Sequence, residues 1–163
     1  MIELRELKIN SKFVRTIIVM TIDKQNKNRD LVVAMLRAGN YFNDELNQFV
    51  KTFGISLPQF NVLRILRGQK GKPANLSNIN ERMIHKMSNT TRLVDKLIEK
   101  KLVQRRICEL NRRKIEIFIT QDGLDLLKQI DGKLDKKEKE LTELLNENEK
   151  EKLIALIQTL IKP

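Results

Sequence analysis

The stretch PANLSNINERMIHKMSNTTRLVDKLIEKKLVQRRICELNRRKIEIFIT, from Pro73 to Thr120, decides how the rest of the chain is read. Asn75 suits the cap of a short helix whose Leu76, Ile79 and Met83 face inward. After a turn around residues 84–87, a second helix carries Thr90, Leu93, Val94, Leu97 and Ile98 on its apolar side. Ser88, Asn89, Thr91, Arg92, Asp95 and Lys96 form the polar side. Val103 to Cys108 and Ile115 to Ile119 are β-branched at their apolar positions and predict antiparallel strands, with Glu109 to Lys114 as a basic hairpin tip. Helix, turn, helix and hairpin in this order outline a winged helix-turn-helix. Ten Lys and Arg against three acids between residues 84 and 114 leave a net charge of +7. Most of the chain's +11 therefore lies in about a fifth of its length.

Outward from this unit the chain is helical. Leu31, Met35, Ala38, Phe42, Phe49 and Phe53 recur at helical spacing from Asp30 onward, and Gly54 is placed to end that helix. Ser56-Leu57-Pro58-Gln59 predicts a capping box with Pro in the first turn, opening a helix that buries Phe60, Val62, Leu63, Ile65 and Leu66. Gly68, Gly71 and Pro73 break the chain before the central unit. Beyond it, Thr120 suits the cap of a long helix in which Leu124, Leu127, Ile130, Leu134, Leu141 and Leu144 keep register. Asn146 with Glu149 marks the start of a last helix, striped by Leu153, Leu156, Ile157, Leu160 and Ile161. Residues 1–29 read as an N-terminal arm, either packed on a partner subunit or poorly ordered. Met20 would itself serve as a start.

The expected architecture is mainly α with a small β-wing. A helix over 30–55 leads into a DNA-binding lobe over 56–120, and helices over 121–163 follow it. At 163 residues the chain is long enough to bury a core unaided. A sequence pI of about 9.9 points to a polyanionic partner. The run Phe13 to Ile22 is too short to span a membrane, since a span needs about 20 apolar residues. One cysteine, Cys108, fits a reducing compartment, so the cytoplasm is the expected location. One histidine, His85, and one cysteine cannot supply the ligands of a usual zinc site or a nucleophile with its base. No Gly-rich phosphate loop is present. Neither enzyme chemistry, nor a metal, nor a cofactor is expected.

The segments NVLRIL, INERM, MSNTTRLVDKLIEKKLV, NRRKIEIFIT and QDGLDLL, in this order and spacing, resemble the MarR family of bacterial transcription regulators from about Asp30 onward. The resemblance implies a homodimer whose N- and C-terminal helices form the dimer body. It implies a recognition helix in the major groove and a wing approaching the minor groove of double-stranded DNA. It also implies repression of a pseudo-palindromic operator, relieved by a small-molecule effector or an oxidant.

Ser88, Asn89, Thr91, Arg92 and Lys96 are then the recognition-helix candidates, because Asn suits adenine, Arg suits guanine and hydroxyls serve bases or phosphates. Arg112 and Arg113 are the wing candidates, because arginine inserts favourably into a narrow minor groove. Arg113 stands seven residues before Thr120, where the family has its minor-groove arginine. The family's wing Asp is Asn111 here, and its Gly after the recognition helix is Lys101. Held left-handed, Lys101 would be strained by roughly 1 kcal/mol. Tyr41, Phe42 and Phe60 are candidates for a ligand cleft, although aromatics at helical spacing more often belong to a core. Cys108 lies on the strand entering the wing and reads as a small strand residue. Arg105 and Arg106 would lower its pKa only if they approached it. Two rival readings remain at this level: a non-specific nucleoid-type DNA binder, and a helical protein-interaction module using the C-terminal Leu stripe.

Overall fold

The structure, a computed structural model, describes residues 26–84, 89–108 and 111–161, with side chains of the last segment from residue 115. The elements in order are α1 (Lys27–Lys51), α2 (Leu57–Gly68), α3 (Leu76–Arg82), α4 (Thr90–Glu99), β1 (Val103–Cys108), β2 (Asn111–Ile119), α5 (Gln121–Thr142) and α6 (Glu147–Ile161). The chain is mainly helical with a two-stranded antiparallel wing, as expected. It divides into two compact units, residues 1–41 and 42–163. Within the first, the described part is the N-terminal portion of α1, on which Leu31, Val32 and Leu36 are half or more exposed.

α1 begins at Lys27, ahead of the expected boundary at residue 30. Asn26 explains the difference. Its side-chain oxygen accepts from the Arg29 amide at 3.1 Å and its carbonyl accepts from the Asp30 amide at 3.1 Å. That is an N-cap inside a polar run that carries no apolar period. At the other end Phe53 lies past the helix, in a turn closed by Gly54 at φ +77°. The bulk of residues 1–29 lies outside the described residues.

In the second unit the local signals hold. Ser56 accepts from the Gln59 amide while the Gln59 side chain accepts from the Ser56 amide, completing the capping box of α2. Asn75 caps α3 through the Asn78 amide at 2.8 Å. Thr120 caps α5 through the Gly123 amide at 3.2 Å. Asn146 and Glu149 cap each other reciprocally at the start of α6, at 2.8 and 3.0 Å.

The core gathers Leu63 and Leu66 of α2, Ile79 of α3, Leu97 of α4, Ile117 of β2 and Leu127 of α5, all buried. Each element places its apolar stripe on the same centre, so burial selects their arrangement. Ala74 pairs with Ile117 through two backbone hydrogen bonds of 3.0 and 2.8 Å, adding a bridge to the free edge of β2. α6 contributes nothing to this core. Leu153, Ile154, Leu156, Leu160 and Ile161 are all exposed along it.

Candidate nucleic-acid interface

The geometry of α4 follows from its own sequence. Thr90, Val94 and Leu97 are buried, while Thr91, Arg92 and Lys96 are exposed on the opposite face. The helix is fixed at both ends. At its start, the buried Thr90 hydroxyl donates to the Asn80 side chain of α3 at 3.0 Å. At its end, the Lys101 amide donates to the Ile98 carbonyl and the Leu102 amide to the Leu97 carbonyl, the paired bonds of a Schellman stop. Lys101 is the left-handed residue of that stop, at φ +61°. The position at which the family has glycine therefore keeps the glycine conformation, with lysine in it. The Lys100 ammonium donates to the Gly54 carbonyl at 2.9 Å, tying this end to the α1–α2 turn.

Asn89 is the N-cap, with φ −126° and ψ 35°, and makes no side-chain capping bond. It therefore stands just outside the first turn in which the sequence placed it, with its carboxamide not spent on the helix. The first backbone N–H groups of α4 lack a side-chain cap, and such groups suit a phosphate oxygen. Ser88, like Lys86 and His85, lies outside the described residues.

The wing departs from expectation in one respect. β2 begins at Asn111, so Arg112 and Arg113 belong to a strand and not to the linking tip. Pairing runs from Val103↔Ile119 to Ile107↔Ile115, then shifts to Cys108↔Asn111. Residues 112–114 therefore form a bulge in the backbone of β2, which interrupts the ladder. The run Arg-Arg-Lys has no alternation of apolar and polar residues, so periodicity gave no sign of a strand there.

One contact joins the wing to the helix beside it. The Arg105 guanidinium donates to the Asp95 carboxylate of α4 at 2.6 Å. Arg106 lies 5.3 Å from the centre of the Phe118 ring. Both arginines are thus engaged away from Cys108, a free, half-buried thiol. Arg105 thus ties β1 to α4. Asp95–Arg105 was not legible as a pair, because ten residues and a change of secondary structure separate its members.

The three aromatic candidates differ in environment. Phe60 is a core residue, 3% exposed, with the Arg64 guanidinium 5.6 Å from its ring centre. It offers no surface to a ligand. Tyr41 is half-buried and Phe42 is 38% exposed. Among the described residues no helix is long and apolar enough to cross a membrane.

Comparison with known proteins places this geometry. Residues 55–115 match the MarR family. The chain is 30% identical over 104 residues to the HTH-type transcriptional regulator MhqR of Bacillus subtilis, covering 64% of this chain and 70% of that protein. A MarR-like transcription regulator from Bacillus cereus superposes with a TM-score of 0.75 at 21% identity, covering 82% of this chain and 94% of the other. A cysteine-to-serine variant of MarR from E. coli, complexed with operator DNA, gives 0.73 at 20% identity, with 82% and 94% covered. BpsR of Bordetella bronchiseptica, whose DNA binding is regulated by 6-hydroxynicotinic acid, gives 0.72 at 19% identity, with 82% and 99% covered. At these identities the structural likeness establishes the fold.

Proposed function

The chain belongs to the MarR family of transcriptional regulators, and from that premise we propose that it is a homodimeric repressor of a pseudo-palindromic operator, released by a small molecule or an oxidant. The observation that carries the reading is the braced face of α4. Thr91, Arg92 and Lys96 are exposed on it, while the Thr90–Asn80 and Asp95–Arg105 bonds hold the helix against α3 and the wing. A helix presented so, beside a basic hairpin, suits entry into a major groove with the wing on the flanking backbone.

In this reading Asn89, Thr91, Arg92 and Ser88 meet base edges or phosphates, Lys96 meets phosphate, and Arg112 and Arg113 reach the minor groove. Two copies related by a twofold axis would read half-sites about 10 bp apart. The bare apolar stripe of α6 supports a second copy as its cover. An effector acts by binding better to a conformation whose recognition helices are misplaced for the operator.

Selection of binding sites from random duplex DNA, at about physiological salt, tests the proposal. A twofold-symmetric motif with half-sites one helical turn apart is expected. Equal binding to every duplex would replace the repressor by a nucleoid-type binder, and no binding would leave an interaction module.

A further inference from the structure

We propose that Ile107 and Ile115 form an apolar contact with the deoxyribose wall of the DNA duplex, between the groove read by α4 and the groove approached by the wing. The inference rests on the DNA-binding reading above and adds to it a contact that carries no charge.

Ile107 and Ile115 are directly paired across the strands, so their side chains share one face of the hairpin. Arg105 and Ile117, two pairs nearer the body, lie on that same face, since strand side chains repeat every second residue. There the face is committed: Ile117 is fully buried and Arg105 bonds Asp95. One pleat further out, Ile107 is 66% and Ile115 40% exposed.

The chain reverses at Lys101, so α4 and β1 leave that turn side by side. Two residues along a strand and one turn along a helix advance by about the same 6 Å. One turn outward from Asp95, α4 presents Thr91 and Arg92, both exposed, while Ile107 is the next same-face residue outward from Arg105 on the strand beside it. Ile115, on the other strand, lines a shallow hollow with Pro73, Ala74, Asn75 and Asn78 at the start of α3.

Two exposed β-branched residues on one face of a hairpin invite association. Their setting decides the partner. The span from residue 84 to 114 carries a net charge of +7, so a second copy of this face is repelled. A duplex edge is the complement: sugar C–H groups bordered by phosphates, opposite isoleucines that lie within a strongly basic span of the chain.

The test is a double variant, Ile107→Thr with Ile115→Thr, which keeps β-branching and hence the strand preference. Its affinity for the selected operator is measured over a range of salt, beside Lys96→Ala. The expected result is a Kd raised about tenfold at every salt concentration, with the slope of log K against log salt unchanged, because no phosphate contact is lost. Lys96→Ala should instead flatten that slope by about one.

An unchanged Kd in the double variant overturns the contact. So does a slope flattened as in Lys96→Ala, which would make the role electrostatic. An unchanged Kd with altered sedimentation of the free protein would assign the pair to protein association instead. Should the double variant fail to fold, Ile107→Thr alone is read by the same criteria. If the wild-type chain selects no sequence, the DNA-reading function itself has failed, and this contact with it.

Discussion

Two positions at the base of the wing show how single residues bear on the interface. Lys101 sits at φ +61°, where a side chain costs roughly 1 kcal/mol that glycine does not pay. Lys101→Gly is expected to raise unfolding stability by about 0.5–1 kcal/mol, the unfolded-state entropy of glycine offsetting part of the relief. Denaturant unfolding checks this, and a loss of stability would mean that the lysine is not strained there. Gly123 is the reverse case. A Cβ at that position would overlap the Leu102 carbonyl oxygen and lie 2.8 Å from Ile119 Cγ1. Alanine gains about 1 kcal/mol in helix propensity, but an overlap with backbone cannot be relieved by a rotamer change. Gly123→Ala should therefore destabilise by about 1–3 kcal/mol net, read in the same unfolding experiment.

Between elements, Asp95–Arg105 joins α4 to the wing. Its side chains are 46% and 35% exposed, so its direct contribution to stability is small, about 0.5 kcal/mol after solvent screening. Its contribution to orientation is larger, because it is the side-chain tie between α4 and β1. Asp95→Asn should leave the unfolding midpoint nearly unchanged while lowering the ratio of operator to random-duplex affinity about fivefold, equivalent to about 1 kcal/mol. An unchanged ratio would remove the pair from positioning. Elements were legible in the sequence where a local rule fixes them. Ser56 with Gln59, Asn75, Thr120, and Asn146 with Glu149 each announced a helix start and each supplies the expected bond. Asn26 is not legible as a cap because the residues around it are polar on every side. The start of β2 is not legible because residues 112–114 lie in a bulge, where the period of two is interrupted. Asp95–Arg105 depends on how α4 packs beside β1, which no local pattern encodes.

At the scale of the whole molecule, the second unit is well packed yet leaves one helix without burial. Leu153, Leu156 and Leu160 of α6 are 44%, 66% and 59% exposed, and a continuous exposed apolar stripe of this kind marks an interaction surface. The proposed dimer covers it. Leu156→Asp should yield a monomer by sedimentation while the wing and its core keep their fold, since no α6 residue is buried in that core. Operator affinity should then fall by about 100-fold or more, because two linked half-site contacts become one. A variant that stays dimeric would move the dimer body away from α6.

The Thr120 hydroxyl has a second task beside capping α5: it donates to the Lys101 carbonyl at 2.8 Å, while the Thr120 amide donates to the Leu102 carbonyl at 3.1 Å. The stop of α4, the foot of the wing and the start of α5 thus close on one residue. On the ribosome these arrive in sequence. Nineteen positions separate Lys101 from Thr120, so at roughly 5–20 residues per second α4 emerges about one to four seconds before its stop can be locked. A nascent chain halted within that interval would hold the whole recognition helix with its final clasp still unmade.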